Sequence, residues 1–263
     1  MKIYNVFLLG VFWLASIIGQ PEQPSRHIVL DEQNFVSLVG PVTPYSVDAV
    51  IMDWNSPSIQ ETMMKTNHTL LYIDSPGGSV HAGNHLIQYM RSLQNQNITV
   101  ECIGQNFMSM GFIIFQACNH RMILDNSIGM QHQMSFGMEG NIENMRSSFH
   151  LHDRINNDLI DMELEKIGLE KDIYLQKILM DWWLYGKENL EQHTADESIV
   201  YSCSPSIMNV KVQRKESFYG TPFQIKRHQC PLYKEIVVTR KEFMDFYDTA
   251  NFWKLAKTIN FLH

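Results

Sequence analysis

Two apolar segments, Thr69-Leu70-Leu71-Tyr72-Ile73-Asp74 and Ile98-Thr99-Val100-Glu101-Cys102-Ile103, each run into a glycine-bearing turn and then a helical pattern. The first, mostly apolar, suits a strand buried in a parallel sheet. After the first comes Ser75-Pro76-Gly77-Gly78-Ser79-Val80, then residues 81–93, where Leu86, Ile87, Met90 and Leu93 share one helical face. After the second comes Gly104-Gln105-Asn106-Phe107-Met108-Ser109-Met110-Gly111, then the apolar run Phe112-Ile113-Ile114-Phe115. Strand, helix, strand, helix in this order predicts an α/β unit with right-handed crossovers.

The second turn carries a serine at the opening of a buried helix. Such a serine is most simply a cap. It also stands where free backbone N–H groups can receive a developing oxyanion. The Pro76-Gly77-Gly78 turn can leave another N–H pointing outward, because glycine accepts backbone angles that other residues avoid. Downstream, residues 121–124 and 127–131 predict two short strands separated by Asp125-Asn126, and His132 stands immediately beyond. A hydroxyl is a poor nucleophile unless a base takes its proton, and the pKa of histidine makes it the usual base. Ser109 is therefore the candidate nucleophile, His132 the candidate base, and the N–H groups of Gly78 and Met110 the candidate oxyanion donors.

The rest of the chain frames this unit. Residues 1–20 hold one lysine, an apolar stretch and small residues near Ser16 and Gly19, and resemble a secretory signal peptide cleaved near Gly19. An N-terminal helix or a short membrane anchor is the alternative. Residues 21–33 read as a polar arm, 35–40 as a short strand, and 45–66 as helical with a break at Pro57. Residues 133–140 read as an extended arm, 141–167 as the longest helix, 170–180 as another helix, 187–197 as a short helix and 198–201 as a closing strand. From about residue 204 the texture turns polar, and residues 204–229 read as a linker or loosely held extension. A strand at 235–238 and an aromatic helix over 241–262, docked on the protein's own core, complete the chain.

With 263 residues, 44% of them hydrophobic, the chain can bury a sizeable core, and a net charge of -7 without a basic stripe argues against a nucleic-acid footprint. The four cysteines show no metal-ligand spacing. Cys102 and Cys118 read as small buried hydrophobes, whereas Cys203 and Cys230 can pair in an oxidising compartment. His81 and His85 lie four apart on a helix but lack a third ligand, so a helix surface is the better reading.

Three groups of residues together resemble the Clp protease proteolytic subunit family, of the Clp/crotonase fold. They are residues 72–83, residues 102–111 around Ser109, and Asn126-Ser127-Ile128-Gly129-Met130-Gln131-His132-Gln133. The resemblance covers residues 27–202. It implies a repeated β-β-α superhelix with a long protruding handle helix, here followed by a C-terminal extension. It divides the chain into residues 1–20, a serine peptidase domain at 21–203 and an extension at 204–263. It also implies a serine endopeptidase that needs no cofactor or metal and hydrolyses peptides or unfolded proteins. The family works as a homo-oligomeric ring, stacked as a tetradecamer, and is fed by an AAA+ unfoldase. In that scheme Ser109 is the nucleophile, His132 the base, Gly78 and Met110 the oxyanion hole, and residues 134–141 the substrate-lining segment.

The sequence also departs from the family. Lys177 stands where the triad aspartate belongs, and Asp181, one helical turn later, is the expected substitute, with Asp172 a poorer one. An acid there holds the imidazole tautomer and stabilises its protonated form, which a lysine opposes. Met134 replaces the proline usual after the His-Gln pair, and Asn106-Phe107-Met108 is bulkier than the family's alanines. The alternative function is accordingly a catalytically impaired ring subunit that serves assembly. A secretory route conflicts with a cytosolic or organellar unfoldase, so the location is either secretory or, if residues 1–20 are not a signal, cytoplasmic or organellar.

Overall fold

The computed structural model describes residues 25–218, 221–233 and 237–238. The expected signal segment at 1–20 and the aromatic helix over 241–262 lie outside the described residues. Six parallel strands, β1 (Arg26–Leu30), β2 (Phe35–Val39), β3 (His68–Ser75), β4 (Thr99–Met108), β5 (His120–Gln131) and β7 (Glu197–Cys203), lie in the order β1-β7-β5-β4-β3-β2. The short β6 (Trp182–Tyr185) adds to β5 in the antiparallel sense. This mixed α/β architecture with a mostly parallel sheet is the one expected of the Clp/crotonase fold.

Alternation along the strands explains why both faces are buried. On β3, Leu71 and Ile73 join the larger core with the helices, while Leu70 and Tyr72 point into a second core on the opposite face. Cys102 and Ile103 divide in the same way on β4, as do Ile123 and Met122 on β5. The larger core receives α1 (Pro44–Trp54), α2 (Pro57–Thr66), α3 (Val80–Gln94) and α4 (Met110–Gln116). Local chemistry sets their ends. Thr43 and Ser46 cap α1 reciprocally with Pro44 in its first turn, Pro57 opens α2, and Ser79 accepts from the Ala82 N–H to cap α3.

The long helix α5 (Ile142–Ile167) is capped by Asn141 and ends at Gly168, whose φ of 76° suits glycine. Its buried residues, Leu159, Ile160, Glu163 and Ile167, all lie in the second half, while Ile142, Phe149 and Leu151 in the first half are exposed. Next come α6 (Lys171–Ile178), α7 (Glu188–Glu191) and, after β7, α8 (Pro205–Met208).

Several expectations change. The polar arm at 21–33 contains β1, because pairing with β7 overrides its composition. The strand expected to stop at Ile103 continues to Met108, with Gln105 as an extra residue between Gly104 and Asn106. The two short strands at 121–124 and 127–131 are one strand, which pairs with β4 on either side of a bulge. Ser127 holds that bulge by donating to the Gly104 carbonyl at 2.6 Å and accepting from the Leu124 N–H at 2.8 Å. The helix expected over 187–197 is only the single turn α7.

Two corrections concern the C-terminal segment and the cysteines. Residues 204–229 hold α8 and an antiparallel hairpin, β8 (Lys211–Phe218) and β9 (Thr221–His228), with β10 (Val237–Val238) paired to β9. Ile207 and Cys230 are buried in the second core, so this segment covers the sheet rather than linking units. Cys203 and Cys230 are disulfide-bonded, and so are Cys102 and Cys118, which strand and helix bring to a Cα separation of 6.0 Å.

Candidate active site

Ser109 sits where β4 gives way to α4, at φ 52° and ψ −121°. A non-glycine residue there carries strain of about 1–3 kcal/mol and persists only when its surroundings hold it. They do so through the backbone: the Ser109 N–H donates to the Met130 carbonyl at 2.7 Å, and the Ser109 carbonyl accepts from Ile113 at 3.1 Å. The apolar helix Met110–Gln116 anchors the turn from beyond, since all its residues are buried.

The strained geometry frees the hydroxyl. Ser109 makes no side-chain capping bond to α4. Its Oγ instead lies 2.8 Å from Nε2 of His132, one residue beyond the end of β5. The two candidate catalytic side chains are thus brought into hydrogen-bond contact by neighbouring parallel strands.

The Pro76-Gly77-Gly78 turn packs beside them. The Val42 N–H donates to the Gly77 carbonyl and the Ser79 N–H to the Val42 carbonyl, both at 2.8 Å. In this bridge the bonds come from the residues flanking Gly78, so its own N–H faces away from Val42. Gly78 has φ 147°, and a β-carbon on it would lie 2.4 Å from the Val42 oxygen. Neither the Gly78 nor the Met110 N–H donates to a backbone acceptor among the described residues. Asn106 ties the turn to β4 by donating to Asp74 at 2.7 Å.

A cavity of about 80 Å3 opens here, lined by Gly78, Ser109, Met110 and His132 on one side and by Met134, Leu159 and Glu163 on another. Glu163 was not foreseen. It is fully buried on α5, and burial pushes its carboxyl up to about 8 against hydrogen bonds from Tyr174 and Gln131 that favour the ionised form. The sequence signal was a glutamate on the apolar stripe Leu159, Ile160, Glu163, Ile167.

The expected acid is placed elsewhere. Asp181 is exposed at φ 51°, just before β6, and does not line the cavity. The ladder between β5 and β6 ends at Gln131↔Trp182, and the left-handed turn at Asp181 takes the chain off it. No carboxylate hydrogen-bonds to His132 among the described residues, so the structure brings together Ser109 and His132 but not Asp181. Asp172 is likewise exposed on α6. Lys177 donates to Gln192 Oε1 at 3.0 Å and lies 4.9 Å from the Trp182 ring, occupied away from the imidazole. His81 and His85 are both exposed on α3.

The family model described as Clp protease matches residues 29–200, a span that runs from the end of β1 through most of β7 and includes both Ser109 and His132. The chain belongs to the Clp protease family. The ATP-dependent Clp protease proteolytic subunit of Deinococcus radiodurans is 30% identical over 131 residues, which are 49% of this chain and 63% of that protein. The chain therefore spans less than two-thirds of the length of this Clp relative. The Clp family match stops short of α8 and the hairpin β8–β9.

Proposed function

We propose that this chain is a serine endopeptidase of the Clp type. The observation that carries the reading is the 2.8 Å contact between Ser109 Oγ and His132 Nε2, made by a serine whose turn prevents it from capping its helix. In this mechanism His132 takes the Ser109 proton as Oγ attacks a peptide carbonyl. The N–H groups of Gly78 and Met110 receive the oxyanion, and His132 returns the proton to the leaving amine. Water then releases the acyl group by the same route. The substrate is a peptide or unfolded protein, and the working form is a homo-oligomeric ring, with the first half of α5, where Ile142, Phe149 and Leu151 are exposed, as the handle by which two rings meet. An AAA+ unfoldase supplies the substrate if dependence on ATP extends from the Deinococcus relative to this chain.

A second reading is a ring subunit with impaired catalysis that serves assembly. It is favoured by the lack of a carboxylate on His132 among the described residues and by Lys177 in the acid's place. A fluorophosphonate probe separates the two. Covalent labelling of Ser109 that disappears in Ser109→Ala supports the hydrolase. Assembled protein that resists labelling supports the assembly role and overturns the hydrolase.

A further inference from the structure

His132 stands one residue past the last rung of the β5–β6 ladder, and residues 132–139 form no regular structure. The base therefore lacks the backbone hydrogen bonds that would fix it in a strand. What holds it is the side chain of its neighbour: the His132 N–H donates to Gln131 Oε1 at 3.1 Å. Gln131 is itself buried, and its Nε2 donates to Glu163 Oε1 at 2.5 Å. The other oxygen, Glu163 Oε2, accepts from the Tyr174 hydroxyl at 2.8 Å. A chain of hydrogen bonds thus runs from α6, through α5, to the backbone of the base.

The direction of that chain is set by the carboxyl group. An amide can face Glu163 through Nε2 or through Oε1, and an acceptor at Glu163 selects Nε2. That choice leaves Oε1 turned toward the His132 N–H. An apolar side chain at position 163 would remove the selection and allow the amide to turn, leaving the His132 N–H without an acceptor. A carboxyl retains an acceptor oxygen for Gln131 whether protonated or not. The titratable groups that share the cavity with Glu163 are His132 and Tyr174.

We propose that Glu163 is a positioning residue for the Ser109–His132 pair, acting through the Gln131 amide to hold a base whose ring no carboxylate among the described residues grips. This rests on the hydrolase reading above. Its function is geometric: a base displaced by a fraction of an ångström loses the hydrogen bond through which it takes the serine proton.

The test is the rate at which a fluorophosphonate labels Ser109 in the full chain, with thermal melts and substrate KM measured alongside. Glu163→Met and Gln131→Met each slow labelling by roughly tenfold to a hundredfold, with KM unchanged. Glu163→Gln, whose amide oxygen can still accept from Gln131, restores the wild-type rate. The double variant Gln131→Met/Glu163→Met removes both partners of the buried bond, a change that cores tolerate, and labels no more slowly than the slower single variant. A folded double variant that labels at the wild-type rate overturns the positioning role alone. So does a Glu163→Gln variant as slow as Glu163→Met. A wild type that resists labelling overturns the hydrolase reading together with it.

Discussion

Gly77 lies so close to Ser109 that a β-carbon on it would fall 2.6 Å from the serine Cβ, 2.7 Å from the Met108 oxygen and 2.9 Å from the Met110 nitrogen. The turn after β3 and the turn after β4 are thus fitted backbone to backbone. With φ 91°, Gly77 also occupies a region that side chains disfavour. Gly77→Ala is expected to destabilise the protein by about 1–3 kcal/mol from backbone strain alone, with steric displacement added. It should also slow labelling of Ser109, because the nearest atoms that must give way belong to the Met108–Met110 turn that holds it. A melting curve and a labelling rate equal to wild type would contradict this.

Asp181 makes a sharper prediction because it was expected to complete a triad. It is exposed, does not line the cavity and makes no hydrogen bond to His132 among the described residues. Asp181→Asn should leave the labelling rate unchanged. A loss on the order of a thousandfold or more would return the residue to the catalytic set.

Glu163 makes stability depend on pH in the sense opposite to a paired surface carboxylate. Its folded pKa of about 8 exceeds the ordinary 4.5, so between these values the folded chain keeps a proton that the unfolded chain releases. Its contribution is fully present below pH 4.5 and is lost as pH rises through 8. Tyr174, whose phenol burial pushes upward, stays neutral across that window. Denaturant midpoints measured between pH 5 and 9, a range chosen as about that of the titration, should fall more steeply for wild type than for Glu163→Gln. Equal slopes would refute the assignment.

Glu101 acts in the opposite direction. The close approach of His68 and the hydrogen bond from Arg26 outweigh partial burial and hold its carboxyl down to about 2. Its stabilisation is present above the ordinary 4.5 and disappears as pH falls through about 2. Glu101→Gln should lower the midpoint at neutral pH and leave it unchanged in strong acid.

The two disulfides are expected to matter most through the unfolded chain. They close loops of 16 and 27 residues in sequence separation. Loops of that size correspond to about 3–4 kcal/mol each in the chain-entropy account. Melting temperature should drop when either pair is replaced by serines, and reductant should then have a smaller effect than on wild type.

The two turns and the histidine were legible because each is a short-range signal: glycine, serine and histidine at fixed offsets from apolar runs. The continuation of β4 through Gln105 and Asn106 was not, since pairing on both sides overrides a locally polar stretch. The hairpin β8–β9 was hidden by its polar composition, which reads as a linker. Cys102 and Cys118 gave no hint of pairing, because what brings them together is the return of α4 along β4 rather than any sequence spacing. Asp181 lies away from His132 for a related reason: one helical turn of separation suggests a shared face, but α6 ends at Ile178 and residue 181 itself is in a left-handed turn. Glu163 was visible as a misfit on an apolar stripe, and only the fold shows that Gln131 answers it.

The second face of the sheet sets a limit on how far this protein can be trimmed. Tyr72, Ile103 and Met122 are shielded there together with Ile207 and Cys230, and Arg227 donates to Ser37 on β2 at 3.0 Å. A fragment ending where the Clp family match ends, at residue 200, would turn those side chains out to water and lose the Cys203–Cys230 bond. Such a fragment is expected to be less stable and less soluble than the longer chain, and its insolubility would say nothing about the chemistry of Ser109.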